Sequence, residues 1–110
     1  MSTRDERFLE IMKDLAARFL LINGNNSSLL TVTRVELTRD KKGATIFFTV
    51  FPDSYEKTAL EFTKRKRKDF REFLKENSRF GHLPHVNFEI DLGEKNRQRI
   101  DGLLNQENKA

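Results

Sequence analysis

The segment from residue 55 to 79 constrains the fold most, because it reads as one helix that is too long for the molecule. It contains neither Gly nor Pro, and a straight helix of this length would extend roughly 37 Å at about 1.5 Å per residue. A domain of this size is only about 35 Å across, from a radius of gyration near 13 Å. The apolar pattern also stops after Phe62 and resumes at Phe70, with five consecutive cations, Lys64–Lys68, in the gap. The segment therefore predicts two helical halves joined by a bend or an exposed turn at 64–68.

Hydrophobic periodicity along the rest of the chain predicts an α+β fold with the order α-β-β-α-α-β-α. The other predicted elements are a helix over 3–22, strands over 30–39, 44–51 and 86–92, and a closing helix over 94–106. The short polar turn at 40–43 favours an antiparallel hairpin between the first two strands. We expect a three-stranded sheet with helices packed on one face, in a single domain over 1–110. Its core is expected over 3–105, followed by a frayed tail over 106–110.

The same patterns predict which side chains face the core. The second strand has apolar residues on both faces, so we expect it to be the central strand. Alternation along the first strand predicts that four residues share one face: Thr31, Thr33, Val35 and Leu37. The expected inward-facing residues of the other elements are Ile46, Phe48 and Val50 on one face of the second strand, Phe47 and Phe51 on its other face, and Ile100, Leu103 and Leu104 on the closing helix.

Composition excludes several classes of protein. The chain has no Cys, which excludes a disulfide framework and a thiolate metal site. No run approaches the ~20 apolar residues that a membrane span needs. The acids between Met1 and Arg7 are untypical of a signal or transit peptide. We therefore expect an intracellular, cytoplasmic protein with no membrane partner.

The positive charge of the chain is concentrated in the stretch Lys64–Arg79. This stretch holds eight Lys or Arg and three acids, a net charge of +5, whereas the whole chain carries +4. Such a local excess indicates a polyanionic partner. Five uninterrupted cations repel one another and have few acids nearby, which favours contact with RNA phosphates over a solvated helix face with internal ion pairs.

Two groups of cations are the candidate RNA contacts. Helical spacing places five of the first group, from Lys64 to Arg79, on one longitudinal stripe. The RNA-binding candidates are Lys64, Arg65, Lys66, Arg67, Lys68, Arg71, Lys75 and Arg79, with secondary contacts from Arg34, Arg39, Lys41 and Lys42. The alternative function is a basic protein-interaction module whose helix docks an acidic partner.

The sequence contains no signal of catalysis, of a metal site or of a cofactor site. His82 and His85 flank a Leu-Pro pair without Cys or a convergent set of carboxylates, which is a weak metal pattern. The five Gly never cluster into a phosphate-binding loop. We therefore expect a protein that is not an enzyme and holds no metal or cofactor. An enzyme that uses His82 or His85 remains the rival interpretation.

Several segments, taken in order, match the pattern of one known family. An amphipathic first helix is followed by the strand segments Leu30–Leu37 and Ala44–Phe48, and later by Phe70–Leu74. Thirteen residues after Arg71 comes the run Pro84-His85-Val86-Asn87-Phe88-Glu89-Ile90-Asp91, and the closing helix contains Arg99–Leu104. From about residue 4 to 105, the chain resembles ribosome-binding factor A, a family of bacterial assembly factors of the small ribosomal subunit.

This resemblance implies a type II KH-like fold, α-β-β-α-(kink)-α-β-α with the closing helix, and a function without catalysis. Members of the family bind the immature 30S subunit, contact 16S ribosomal RNA near the decoding region and support processing of its 5′ end. The implied partner is therefore 16S rRNA within the 30S subunit. We expect the protein itself to be monomeric. The family kinks its long helix at an Ala-x-Gly interruption, and the matching positions here are Lys66 and Lys68.

Overall fold

A computed structural model describes residues 3–24 and 27–107, with side chains through residue 104. Its elements are α1 (Thr3–Asn23), β1 (Leu29–Leu37), β2 (Gly43–Phe51), a 3-10 turn (Asp53–Tyr55), α2 (Glu56–Arg65), α3 (Arg67–Asn77), β3 (His85–Ile90) and α4 (Leu92–Glu107). This order confirms the predicted α+β succession and the division of the long helical segment. No helix within the described ranges is both long and apolar enough to cross a membrane.

The first helix, α1, packs one apolar stripe against the sheet and ends at a close contact. The stripe consists of Met12, Leu15, Ala16, Phe19 and Leu20. At its end, the amide of Asn23 donates to the carbonyl of Phe19, and the backbone N–H of Gly24 donates to the carbonyl of Leu20, both at 2.9 Å. A Cβ atom at Gly24 would lie 2.7 Å from that Leu20 oxygen, so the position requires Gly.

The central strand is β2, as predicted. It pairs antiparallel with β1, from Leu29 opposite Phe51 to Leu37 opposite Ala44, and it pairs parallel with β3. The antiparallel pair confirms the predicted hairpin. A parallel pair needs a crossover connection, and α2 and α3 supply it here. Together with α1, these two helices form the layer on one face of the sheet.

Four phenylalanine rings join that helical layer to the sheet. Phe70 of α3 is fully buried, and its ring centroid lies 5.1 Å from that of Phe19 in α1 and 5.3 Å from that of Phe88 in β3. Phe88 in turn lies 6.2 Å from Phe48 of β2. Aromatic pairs at such separations stabilise a core beyond the area they bury. The first turn of α3 is therefore fixed against the centre of the molecule.

The predicted alternation along β1 is wrong. The pairing of β1 with β2 shifts between Val32 and Arg34, and the buried residues of β1 are Val32 and Val35. A β-bulge adds one residue to a strand, so the side chains beyond it change face relative to a regular alternation. Thr31 is consequently exposed, and Thr33 and Leu37 are only half-buried.

The prediction that Phe47 and Phe51 belong to the core is also wrong, although Ile46, Phe48 and Val50 are buried as expected. Phe51 is 73% exposed at the end of β2. Phe47 is half-buried, with the guanidinium carbon of Arg34 3.9 Å from its ring centroid. The difference arises because α1, α2 and α3 cover only one face of the sheet. The other face of β2 is covered only in part, since Thr49 is buried there whereas Phe47 is half-buried and Phe51 exposed.

The closing helix, α4, is attached by charge and not by the apolar packing that the sequence predicts. It begins at Leu92, which belongs to the helix and not to the preceding strand. Ion pairs join Lys95 to Glu56 at 2.9 Å and Arg99 to Asp53 at 3.5 Å. The residues expected to face inward are each more than half exposed: Ile100, Leu103 and Leu104. Of the tail expected to fray, 106 and 107 continue the helix, whereas 108–110 lie outside the described residues.

A single buried carboxylate sets where α4 leaves the sheet. The side chain of Asp91 accepts hydrogen bonds from the hydroxyl of Thr33 at 2.5 Å, from Nε of Arg34 at 3.2 Å and from the backbone N–H of Glu94 at 3.0 Å. The last of these is an N-cap, which satisfies a free donor at the start of the helix. Burial disfavours the charged form, but the hydrogen bonds from Thr33, Glu94 and Arg34 outweigh it and lower the pKa of Asp91.

Replacing this carboxylate tests its contribution. We expect Asp91→Ala to lower the free energy of unfolding at pH 7 by about 1–2 kcal/mol, because it removes an N-cap and a buried hydrogen-bond acceptor. A lowered pKa contributes stability above the unfolded value, near 3.8, and that contribution is lost as the pH falls through the folded value. The difference in free energy of unfolding between variant and parent should therefore become smaller below about pH 4. Urea unfolding at pH 7 and pH 3 measures it.

Asp14→Ala is the matched control, since Asp14 forms an exposed pair with Arg18 on α1. Its effect should stay within about 0.5 kcal/mol. An equal loss from both variants at pH 7, or a loss at Asp91 that is the same at both pH values, would contradict the role given to Asp91.

Candidate RNA-binding surface

The cation run forms the bend between α2 and α3, which we call the basic elbow (Lys64–Lys68 together with Arg71). Helix α2 ends at Arg65, α3 begins at Arg67, and Lys66 between them has φ −92° and ψ 5°. The backbone N–H of Lys66 donates to the carbonyl of Phe62 at 3.0 Å, and its carbonyl accepts from the N–H of Phe70 at 2.8 Å. The predicted bend is thus confirmed, at the first of the two family kink positions. A negative φ needs no Gly, which explains why Lys66 is tolerated there.

The elbow lies at the surface because no side chain between Thr63 and Phe70 is buried in the core. The last buried residue of α2 is Thr63, whose hydroxyl donates to the carbonyl of Leu60 at 2.8 Å. The next buried residue is Phe70. No side chain between them is buried, so neither helix is held to the core across this interval, and the long cationic side chains extend into solvent.

Five cations of the elbow surround one shallow depression of about 350 Å³ at the edge of the sheet. Its lining residues are Lys64, Arg65, Arg67, Lys68 and Arg71 with His85 and Val86 of β3. Within the part of the chain that the structure describes, none of these five cations forms an ion pair. The depression therefore concentrates uncompensated positive charge next to the first residues of β3.

The remaining candidates of the basic stretch are placed differently, so the predicted continuous stripe is interrupted. Lys66 is only 37% exposed, and its ammonium lies 3.6 Å from the carboxylate of Asp69. Lys75 pairs with Glu72 at 3.4 Å on the exposed side of α3. Arg79 follows the end of α3 at Asn77 and lines a different depression. The predicted stripe applied helical spacing from 64 to 79, whereas α3 ends at Asn77 before Arg79 and the charge of Lys75 is paired with Glu72.

The hairpin turn brings further cations to the same end of the molecule. The carbonyl of Lys42 accepts a hydrogen bond from the backbone N–H of His85 at 2.8 Å, and His85 lines the elbow depression. Lys41, with φ 61°, places its ammonium 2.9 Å from the carboxylate of Asp5 at the start of α1. Arg39 is exposed in the same turn. The hairpin turn, which carries three of the four secondary candidates, is therefore held next to the elbow depression through Lys42.

Arg34, the fourth secondary candidate, has a structural position. Its guanidinium pairs with Asp91 and with Glu36, and it lies over the ring of Phe47. These contacts are on the face of the sheet that α1, α2 and α3 leave uncovered. The bulge in β1 produces this placement, and the sequence alone contains no sign of it.

The two histidines do not line a common site. His85 lies in the elbow depression, whereas His82 lines the depression that also contains Arg79. Among the described residues, no group of three His, Asp or Glu side chains is placed to hold a metal ion. The structure thus gives His82 and His85 separate surroundings.

Two cations that the sequence reasoning missed also lie at this end. Arg4 and Arg7 are exposed at the start of α1 and line the second depression with Arg79 and His82. Their spacing of three residues places them on one helix face, which was visible in the sequence. Their closeness to Arg79 was not visible, since it depends on how α1 packs beside α3.

Comparison with known proteins identifies a family. The sequence model described as Ribosome-binding factor A matches residues 4–104. Ribosome-binding factor A of Fervidobacterium nodosum is 30% identical over 100 residues, which cover 86% of this chain and 80% of that protein. The protein of the same name from Geotalea daltonii is 28% identical over 109 residues, covering 96% and 89%.

Solved structures give the same result for the fold. The crystal structure of ribosome-binding factor A from Thermus thermophilus superposes with a TM-score of 0.68 at 22% identity, covering 77% of this chain and 93% of that one. A homology model of the Thermus thermophilus protein, fitted into a cryo-EM map of a 30S–RbfA complex, superposes with a TM-score of 0.64 at 23% identity. It covers 74% of this chain and 88% of its own. These likenesses confirm the KH-like fold.

The break at Lys66 can be tested by exchanging Ala for Gly at single positions. Within an exposed helix interior, Gly is less stable than Ala by roughly 1 kcal/mol. We expect Lys66→Gly and Lys66→Ala to differ by less than about 0.5 kcal/mol in their free energy of unfolding, because Lys66 lies between two helices. The same pair at Arg71, in the middle of α3, should differ by the full helical amount. Urea titration of the four variants measures both differences, and equal differences at the two positions would indicate one continuous helix.

Proposed function

This chain belongs to the ribosome-binding factor A family, and we propose that it is an RNA-binding protein that assists maturation of the small ribosomal subunit. It binds the immature 30S subunit, contacts 16S rRNA through the basic elbow and supports rRNA processing. It acts in the cytoplasm as a monomer, without catalysis and without a cofactor. The names of its relatives and the structural neighbour fitted into a 30S complex support the choice of partner.

The observation that carries this proposal is the cluster of five unpaired cations around one depression. Bringing five positive charges together without paired acids is unfavourable for the free protein, and the phosphates of a polyanion offset this repulsion. Binding is further favoured because the polyanion releases its condensed counterions. Arg65 and Arg67 lie at the facing ends of two helices, so the elbow presents charges from both. The depression is shallow and its lining includes no Phe or Tyr, which suits a phosphate backbone better than a base.

The attraction for phosphate comes from the side chains of the elbow and not from a helix end. Helix α2 ends at Arg65 and α3 begins at Arg67, and Lys66 between them keeps helical hydrogen bonds to Phe62 and Phe70. The negative end of the α2 dipole therefore meets the positive end of α3, and the two offset one another. Attraction by the side-chain charges does not depend on base sequence, as expected for a factor that binds a folded RNA and later leaves it.

Binding to the subunit should depend steeply on salt. If the elbow neutralises five phosphates, the logarithm of the binding constant should fall with the logarithm of salt concentration at a slope of about −3 to −5. The variant Lys64→Gln, Lys68→Gln, Arg71→Gln should reduce this slope by about 3, because each lost phosphate contact removes about 1. Co-sedimentation with immature 30S subunits over a series of KCl concentrations measures both slopes.

The control variant removes the same charge elsewhere on the surface. Lys13, Arg18 and Lys57 are exposed residues of α1 and α2 outside the elbow, and their combined change to Gln should leave the slope unaltered. Digestion of the rRNA with RNase should abolish binding by the parent protein. Binding that survives RNase would favour a basic module that docks an acidic protein. A salt slope near zero would contradict the proposed phosphate contacts.

A role in rRNA processing needs a separate measurement in cells. In a strain whose own copy of this gene is deleted, the parent chain should restore the mature 5′ end of 16S rRNA, whereas the elbow variant should leave precursor 5′ ends. The reason is that a factor that no longer binds the subunit cannot assist its processing. Primer extension quantifies the two ends. Full restoration by the elbow variant would separate processing from RNA binding at the elbow.

A further inference from the structure

A second depression lies between the start of α1 and the loop that follows α3. Its volume is about 600 Å³, and its floor and rim differ in chemistry. We call its half-buried aromatic residues, Phe8 and Phe80, the floor, and its exposed basic residues the rim: Arg4, Arg7, Arg79 and His82. Neither the cation stretch nor the elbow accounts for this arrangement, because Arg4 and Arg7 come from the other end of the chain.

The floor is an aromatic pair that is fixed but still accessible. The ring centroids of Phe8 and Phe80 are 4.6 Å apart with an interplanar angle of 47°. Both residues are half-buried, so each ring packs against the other and retains part of its surface toward the depression. Rings held in this way offer a stacking surface for an unpaired base. The rings of Phe48 and Phe70, by contrast, are fully buried in the core.

The rim is cationic and uncompensated. Arg4, Arg7 and Arg79 are exposed, and within the described ranges none of them forms an ion pair. Arginine binds phosphate through two parallel hydrogen bonds and also stacks on planar groups. An apolar aromatic floor under three free guanidinium groups therefore fits a ligand that has both a flat face and a phosphate.

We propose that this depression binds one unpaired nucleotide of single-stranded RNA. The base lies against Phe80 and Phe8, and the adjoining phosphates contact Arg4, Arg7 and Arg79. A base-paired helix does not fit, because its base faces are stacked on their neighbours and are not available to the rings. The site extends the proposed function and rests on it for the class of partner, while it differs from the elbow in recognising a base.

The hairpin turn connects the two depressions. Lys41 pairs with Asp5, the neighbour of Arg4, on one side. The carbonyl of Lys42 holds the N–H of His85, which lines the elbow depression, on the other side. One RNA strand that crosses the turn can therefore place backbone phosphates at the elbow and an unpaired nucleotide in the second depression.

Two probes of equal charge separate base recognition from phosphate attraction. One is pentauridylate and the other is an abasic ribose-phosphate pentamer of the same length, and both carry a fluorescein label. We expect the parent protein to bind pentauridylate about tenfold more tightly, from stacking of one base. Phe80→Leu keeps the apolar contact with Phe8 but removes the aromatic face, so it should bring the affinity ratio close to one. Fluorescence anisotropy measures both affinities, and far-UV circular dichroism verifies folding.

A second variant keeps the test valid if Phe80→Leu unfolds. Arg4→Gln with Arg7→Gln changes only exposed side chains and should weaken both probes together. The matched control on the same helix, Lys13→Gln with Arg18→Gln, should leave both affinities unchanged. Equal weakening by the two pairs would mean that overall charge, and not the depression, attracts the probes, and would overturn the site.

Other outcomes also decide the proposal. Equal affinity of the parent protein for the two probes, or no binding of either, overturns it. An affinity ratio that persists when both Phe8 and Phe80 are replaced by Leu places base recognition elsewhere and overturns it as well. Displacement of pentauridylate by a lower concentration of an acidic, aromatic peptide would identify a protein partner instead.

The elbow variant distinguishes this site from the proposed function. Lys64→Gln, Lys68→Gln, Arg71→Gln should weaken both probes but preserve their ratio, because the rings of Phe8 and Phe80 are untouched. If the parent protein does not bind 30S subunits but still prefers pentauridylate to the abasic probe, only the proposed function is contradicted. If the parent protein binds 30S subunits but has equal affinity for the two probes, only this site is contradicted.

Discussion

The burial of Phe70 between Phe19 and Phe88 is the contact on which the rest of the structure depends. It joins α1, α3 and β3 in one cluster, and through Phe88 it reaches the central strand. Phe70 lies in the first turn of α3 and holds the start of that helix against the core. Helix α2 is held by Ala59 and Thr63, and Lys66 connects the two helices between these buried residues. The bend with its cations is therefore at the surface.

Charge and packing are separated along the molecule. The elbow, the hairpin turn and the start of α1 gather cations at one end of the sheet, where Lys42 and His85 are joined by a backbone hydrogen bond. Some of these cations are paired, as Lys41 is with Asp5, but the five that line the elbow depression form no ion pair among the described residues. At the opposite end, α4 is held to the body through Lys95 and Arg99, whose charges are compensated. Positive charge is therefore available to a polyanion mainly at the first end, even though cations occur along the whole chain.

The structure also gives physical roles to the run Pro84–Asp91, through which the sequence resembles its family. Phe88 packs against Phe70 and Phe48 within the core. Asp91 ends the same strand, caps α4 and binds the bulged part of β1 through Thr33. Phe88 thus contributes to the core, and Asp91, three positions later, attaches the last helix. The sequence pattern identified these residues without explaining them, because both roles need partners that are distant in the chain.

The sequence by itself determined the order of the elements, the central strand, the hairpin and the position of the bend, because these follow from local periodicity and from length. It also located the cation run. Only the tertiary structure decided which cations lie close together, since Arg4 and Arg79 line one depression through the packing of α1 beside α3. The tertiary structure also decided that Phe51 is exposed, together with Ile100, Leu103 and Leu104 of α4. Burial depends on which face of an element another layer covers, and a one-dimensional pattern contains no information about an absent layer.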